Sequence, residues 1–136
     1  MSESEPIVYI DHSAVHEGAL DELKAGVRRV VDLLDAQEPR LLAYGFYIDD
    51  ATRQMTVVAV HPDSASLELH LEIGSPEFRK LSHLLTLTGI ECYGQPSARA
   101  LEHLRRKAEM LGDGGTVVSI RRFAGFTHLG VATSER

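Results

Sequence analysis

The sequence predicts an α+β fold in which an antiparallel sheet is built in split β-α-β order. Apolar segments alternate between β-branched runs typical of strands and stripes at the spacing of an amphipathic helix. Their order is β-α-β-β-α-β, followed by one more helix and one more strand. The 136 residues are the length of one domain. We therefore expect a single ferredoxin-like domain with its core at about residues 7–95, an added helix–strand unit at about residues 97–123 and a tail at residues 124–136.

Three strands and one long helix are predicted in the first half of the chain. Residues 7–13 are β-branched and aromatic, which indicates a strand. From residue 16 to residue 36 the apolar side chains recur every three or four positions, and Pro39 follows, which together predict a helix that ends before the proline. Residues 40–48 and 54–61 predict an antiparallel hairpin joined by a polar turn.

In the second half, a helix is predicted to begin at Asp63 or Ser64 and to break at Gly74. A second short helix would then begin with Ser75 as N-cap and Pro76 at its first position. Residues 87–93 predict the fourth strand. A further helix opens at residues 96–97 and ends at Gly112. We expect residues 113–115 to form a tight turn, residues 116–123 the fifth strand and residues 124–136 a partly ordered tail.

Both faces of the hairpin strands are apolar. An antiparallel sheet with one solvated face should alternate apolar and polar residues, and these strands do not. The simplest cover for the second face is a second copy of the sheet, which predicts a two-fold homodimer through the sheet faces. The alternative is that the added helix and strand wrap round to that face. In the second strand one face carries Leu42, Tyr44, Phe46 and Ile48, and the other carries Leu41, Ala43 and Tyr47.

Composition and charge exclude several classes of partner. The net charge of −6 and the short, interrupted basic runs argue against nucleic-acid binding. Cys92 is the single cysteine, so no intramolecular disulfide can form, and a reducing compartment is expected. The first residues are acidic, unlike a signal peptide, and no apolar stretch is long enough to span a bilayer. These features predict a cytoplasmic protein with no membrane partner.

Three segments resemble those of a known family. Gly18 precedes the helical run at residues 19–34; residues 39–44 read PRLLAY; residues 66–70 read SLELH and are followed by SPEF at residues 75–78. Over about residues 7–95 the chain resembles the antibiotic-biosynthesis monooxygenase group of dimeric α+β barrels. Eight positions separate His70 from Phe78, so either an insertion lies between them or Glu72 takes the place of the histidine.

This resemblance implies a dimer formed sheet to sheet, with a cavity between sheet and helices in each subunit. Some members of the group oxidise electron-rich aromatics with dioxygen and no cofactor, and others degrade haem. Haem degraders are expected to carry a histidine four places after the phenylalanine, where this chain has Ser82, with His83 one place further on. The chain also has no tryptophan. The resemblance therefore favours an enzyme without a cofactor over haem degradation.

A cofactor-free oxygenase needs a base that ionises the substrate, together with apolar walls that exclude water. His70 and His61 are the candidate bases, because imidazole titrates near neutral pH. Each also has a plain structural explanation: His70 as a partly buried helix residue and His61 as a strand-end residue bonded to the backbone. The residues expected to bind a substrate are Tyr44, Phe46, Phe78 and Leu67.

No metal site is predicted from the sequence. The seven histidines are scattered, and neither a paired-histidine helix motif nor a CxxC motif occurs. The leading hypothesis, which the resemblance implies, is a cofactor-independent monooxygenase that acts on a small phenolic or quinol-type aromatic. The alternatives are a homodimeric module that binds a small hydrophobic or aromatic molecule without turnover, and a structural dimer without a functional cavity.

Overall fold

Five strands form one mixed sheet in the computed structural model, which describes residues 5–128. The order across the sheet is β2-β3-β1-β4-β5, and every neighbouring pair is antiparallel except β4 and β5, which are parallel. The first four strands have the split β-α-β order of a ferredoxin-like core, as predicted. The strands are β1 (Ile7–Val15), β2 (Ala43–Asp49), β3 (Gln54–His61), β4 (Leu85–Tyr93) and β5 (Gly112–Ile120).

Three helices bury their apolar stripes in one core with the inward residues of the strands. They are α1 (Leu20–Gln37), α2 (Ser64–Lys80) and α3 (Ala98–Leu111). The carboxylate of Asp63 caps α2 by accepting a hydrogen bond of 2.9 Å from the backbone N–H of Ser66. The hydroxyl of Ser97 caps α3 in the same way, by accepting a hydrogen bond of 3.0 Å from the backbone N–H of Ala100. Burial alternates along β1 and β3, as expected for strands with one face on the core.

The predicted break at Gly74 is wrong, because α2 is one continuous helix with Pro76 inside it. Gly74 is required by close packing: a Cβ atom there would lie 2.5 Å from Cζ of the Phe78 ring. The proline removes only one backbone donor from the helix. Residues buried on both sides of it, including Leu71 and Phe78, hold the two halves in line against the core.

The predicted tight turn at residues 113–115 is also wrong, because these residues belong to β5. The helix α3 leads at Gly112 directly into β5, which runs parallel to β4, so the added unit is a β-α-β crossover. The strand accordingly ends at Ile120 rather than at residue 123. Of the tail predicted to be partly ordered, residues 129–136 lie outside the described residues.

The outer face of the sheet is apolar and faces away from all three helices. Within residues 5–128, no element lies across it: α3 packs on the inner face, where Lys107 reaches β1, and β5 extends the sheet at its edge. The alternative in which the added helix and strand cover this face is therefore wrong. The outer face carries half-buried Val8, Ile10, Val58 and Val60, with Tyr47 at 64% and Ile120 at 49% exposure. No helix of the described segment has the length and apolar character needed to cross a membrane.

Candidate functional site

A small cavity of about 30 Å³ lies between the inner face of the sheet and the helices α2 and α3. Most of its wall is apolar, and a few polar groups of the strands and of α3 point into it. This volume holds water but is smaller than the roughly 150 Å³ that accommodates a benzene ring. Its lining includes Asp11, Tyr44, Phe46, Phe78, Leu81 and Lys107.

A fully buried histidine–carboxylate pair lies behind the part of the cavity wall formed by Tyr44 and Phe78. His70 on α2 is 0% exposed and Glu38, just after α1, is 4% exposed. Nδ1 of His70 lies 3.1 and 3.2 Å from the two carboxylate oxygens of Glu38. Because a carboxylate only accepts hydrogen bonds, Nδ1 carries the ring proton and Nε2 keeps its lone pair.

Aromatic rings surround His70 on its remaining sides. Tyr44 and His61 meet it edge to face, with ring centroids 5.2 and 5.1 Å away, and the Phe78 ring lies at 5.8 Å. Three polar atoms in this cluster are buried without a hydrogen-bond partner among residues 5–128: Nε2 of His70, Nε2 of His61 and the hydroxyl of Tyr44. Such atoms are costly to bury, and they are common where a ligand or water completes the site.

Burial sets the protonation of these groups. It lowers the pKa of His70 below its ordinary 6.5, against the opposing effect of Glu38. Burial also raises the pKa of Tyr44 well above 10, so its hydroxyl remains a donor. At neutral pH the site therefore holds a neutral imidazole, with the lone pair of Nε2 free to accept a hydrogen bond or a proton, and a phenol that can donate a hydrogen bond.

A second buried polar cluster joins β1 to the added helix α3. The ammonium group of Lys107 donates to the Tyr9 hydroxyl at 2.6 Å and to Oδ2 of Asp11 at 3.1 Å, and the Tyr9 hydroxyl donates to the same carboxylate oxygen. The Lys107 nitrogen also lies 4.0 Å from the centre of the Phe78 ring. Burial and the neighbouring Asp11 carboxylate raise the pKa of Tyr9 well above 10. Lys107 and Asp11 thus place an ion pair in the wall of the cavity.

The residues predicted from the sequence fall into two groups. Tyr44, Phe46 and Phe78 line the cavity, whereas His70, His61 and Leu67 are buried beside it or in the core and are not part of its lining. His61 bonds through Nδ1 to the Ser66 hydroxyl at 2.8 Å, not to the backbone as expected for a strand-end residue.

The structure places His70 and Glu72 on different faces of α2. Since α2 is one uninterrupted helix, both residues have fixed faces, and only His70 points into the core. Glu72 is exposed and pairs with Arg99 at 3.0 Å. The His70 ring, and not the Glu72 side chain, therefore lies beside the Phe78 ring.

The sequence reasoning missed Tyr9, Asp11, Glu38 and Lys107. Two of them carried a readable signal. Asp11 stands at an inward register position between Tyr9 and Ser13 on β1. Lys107 lies three residues after Leu104 and four before Leu111, within the apolar stripe of α3. A charge at a core position is a reason to look for a buried partner. Glu38 gave no such signal, because it follows the helix beside a proline.

Acid should destabilise the protein through its buried histidines. Burial and the adjacent His70 lower the pKa of His61 to about 3. Between about pH 6.5 and pH 3 the unfolded chain binds a proton at this position that the folded chain does not, so stability falls as the pH falls. We expect the free energy of unfolding to drop by about 1.4 kcal/mol per pH unit for this group.

Urea unfolding between pH 7.5 and 4, followed by circular dichroism, measures this slope. His61→Gln should make it shallower, and His83→Gln, at an exposed position, should leave it unchanged. Parallel curves for the wild type and His61→Gln would show that His61 does not cause the loss.

The described residues contain no cluster of three or more His, Cys, Asp or Glu side chains placed to hold a metal ion. The single cysteine, Cys92, is buried on β4, and burial raises the pKa of its thiol to about 11. It is therefore not activated as a nucleophile.

Solved structures show what the chain is similar to. MupZ from Pseudomonas fluorescens superposes with a TM-score of 0.70 over 93% of this chain and 97% of that one, at 18% identity. SnoaB from Streptomyces nogalater, described as a cofactor-independent oxygenase, matches with a TM-score of 0.57 over 70% and 97% of the two chains, at 15% identity. A conserved protein from Methanosarcina mazei Go1 matches with a TM-score of 0.58 over 68% and 93%, at 18% identity. No family model and no curated protein matches the sequence.

These likenesses confirm the predicted fold. The α+β, ferredoxin-like fold of the antibiotic-biosynthesis monooxygenase-like proteins is the fold of this chain, with an added helix and strand. The matches to SnoaB and to the Methanosarcina protein span a share of the chain close to that of the predicted core. The match to MupZ covers 93% of the chain and must include much of α3 and β5. At these identities the comparisons show the fold alone.

Proposed function

We propose that this protein is a cofactor-independent monooxygenase of a small phenolic or quinol-type aromatic, with His70 as the general base. The observation that carries the proposal is the buried Glu38–His70 pair: the His70 ring meets the Tyr44 ring edge to face, and its Nε2, like the Tyr44 hydroxyl, has no hydrogen-bond partner among residues 5–128. A phenol placed between these groups donates its proton to Nε2 and accepts a hydrogen bond from Tyr44. The likeness in fold to SnoaB supports the same class of reaction.

In the proposed reaction, His70 takes the phenolic proton and the phenolate gives one electron to dioxygen. The substrate radical and superoxide combine at a ring carbon, and the peroxide formed takes the proton back from His70. The hydroperoxide then loses water: its outer O–H group leaves with the proton of that ring carbon, and a quinone remains. Phenol and dioxygen thus give quinone and water, so the substrate supplies every electron. The apolar walls exclude water while the phenolate is exposed to oxygen.

Binding requires the site to open, because the cavity is smaller than one aromatic ring. Tyr44 separates it from a surface cleft of about 180 Å³ that Glu38 and Leu41 also line. Movement of the Tyr44 ring joins cleft and cavity and brings a ligand to Nε2 of His70. We infer that this cleft is the route by which the aromatic ring enters.

Oxygen uptake tests the proposal. The protein, treated with a chelator and freed of flavin and haem, should consume dioxygen with a substituted hydroquinone faster than the uncatalysed solution. The quinone should contain one oxygen atom from labelled dioxygen. Tight binding of the hydroquinone without oxygen uptake would instead support the non-catalytic binding module and refute the oxygenase.

We further propose that a second copy covers the outer face of the sheet. The apolar residues there, including Ile10 and Val58, are those that a sheet-to-sheet dimer would bury. Analytical ultracentrifugation at micromolar concentration should find a dimer, and Val58→Glu should shift it to monomer, since a charge in that interface is left unpaired. Arg105→Glu, at an exposed position on α3, is the control. A wild-type monomer at these concentrations would contradict the proposal.

A further inference from the structure

A groove of about 340 Å³ runs between α2 and α3 on the helical side of the molecule. Its walls are one edge of each helix: Leu71, Ser75 and Arg79 recur every four residues on α2, and His103, Lys107 and Met110 recur every three or four on α3, with Arg106 beside them. The groove therefore follows from the packing of the added helix against α2. A fold without α3 has no such groove.

The groove is cationic although the protein is acidic overall. It is lined by the cations Arg79, Arg106 and Lys107, together with His103, and Glu72 is its one acidic residue. Glu72 is already paired with Arg99 at 3.0 Å.

The groove cations differ in how they are paired. Lys107 and Arg106 have carboxylate partners, Asp11 and Glu102. Arg79 is exposed and makes no salt bridge to any residue in the described range 5–128. Its guanidinium fork is free for a planar anion such as a carboxylate.

The groove and the inner cavity share a wall. Lys107 lines both, with its ammonium group held among Tyr9, Asp11 and the Phe78 ring. Phe78 lies one residue before Arg79 on α2. A molecule with its aromatic ring at the cavity and a short acidic chain in the groove would therefore pass Lys107, the residue that lines both.

We propose that the α2–α3 groove binds the carboxylate end of the substrate, so that the substrate class is an aromatic acid and not a neutral phenol. The placement of the aromatic ring rests on the proposed function, whereas the placement of the acid group does not. Arg79 is the main ligand of the carboxylate, and Arg106 adds to the local positive charge. The added helix thus determines specificity by supplying one wall of the acid site.

Binding measured without oxygen separates this inference from the reaction. The probes are 3-(2,5-dihydroxyphenyl)propanoate and its methyl ester, titrated calorimetrically into the full chain under anaerobic conditions. We expect the acid to bind about tenfold more tightly than the ester. Arg79→Gln should remove most of that difference, Arg106→Gln a smaller part, and raising the salt concentration should weaken binding of the acid only.

Arg105→Gln is the matched control, because Arg105 is exposed on α3 but is not a groove residue. Equal affinity for acid and ester, no binding of the acid at millimolar concentration, or an acid preference that persists in Arg79→Gln each overturns the groove assignment. An Arg79-dependent acid preference in a protein that consumes no oxygen keeps the groove and refutes the oxygenase. Oxygen uptake with no preference for the acid would support the oxygenase and overturn the groove assignment.

Discussion

Replacing His70 with glutamine should lower the rate of substrate-dependent oxygen uptake by about 10²–10⁴-fold, the usual contribution of a positioned general base. Glutamine fills a similar volume and can still bond to Glu38, but it has no lone pair of comparable basicity. The loss should appear mainly in kcat, because the Tyr44 hydroxyl and the aromatic walls that bind the ring are unchanged.

His61→Gln is the matched comparison, since His61 is equally buried and lies beside His70. Its Nδ1 is bound to Ser66 and no carboxylate orients it, so we expect a much smaller loss of rate. Circular dichroism must show both variants to be folded. Near wild-type uptake in folded His70→Gln would remove the histidine from the reaction, and a larger loss in His61→Gln would transfer the role to His61.

Replacing Lys107 with methionine should destabilise the fold by about 3–5 kcal/mol, because it leaves the Asp11 carboxylate buried without its cation. The side chains of the pair are only 7% and 4% exposed, so water cannot replace the lost partner. Since a domain of this size is stable by roughly 5–15 kcal/mol, the variant should unfold at much lower urea concentration.

The double variant Lys107→Met, Asp11→Asn tests the reason for that loss. It removes both charges, while the amide oxygen of the introduced asparagine can still accept a hydrogen bond from the Tyr9 hydroxyl, so most of the lost stability should return. Lys80→Met, which breaks an exposed pair with Glu77, should change stability by less than about 1 kcal/mol. Additive losses in the double variant would show that the two side chains do not act as a pair.

The sequence was sufficient for the architecture because each strand and helix has its own local signal. Alternation on β1 and β3, the stripe of α1 and the caps of α3 are short-range patterns, and they predicted the element order. The two errors are informative. Gly74 and Pro76 read as a break, but Phe78 packs over the glycine and the core holds the helix together. The residues at 113–115 read as a turn, but they lie within β5, between Gly112 and Thr116, which both pair with β4.

The site could be predicted only in part, because its key contacts join residues far apart in the chain. Tyr44 and Phe46 could be assigned to one strand face by their alternation. The contact of His70 with Glu38 spans 32 positions, and that of Lys107 with Tyr9 spans 98. Neither pairing has a spacing rule, since each depends on how a helix end or an added helix sits on the sheet. For the second pairing, the charged Lys107 and Asp11 at core positions were the readable signal; Glu38 gave none.

In the proposed reaction the buried Glu38–His70 pair removes a proton from a bound phenol. An anaerobic absorbance titration tests it directly, because a phenolate absorbs at longer wavelength than its phenol. With 3-(2,5-dihydroxyphenyl)propanoate titrated across pH, we predict that the phenolate spectrum appears at a lower pH in the wild-type complex than in the complex with His70→Gln. A phenolate spectrum that appears at the same pH in both complexes would show that His70 does not take the proton.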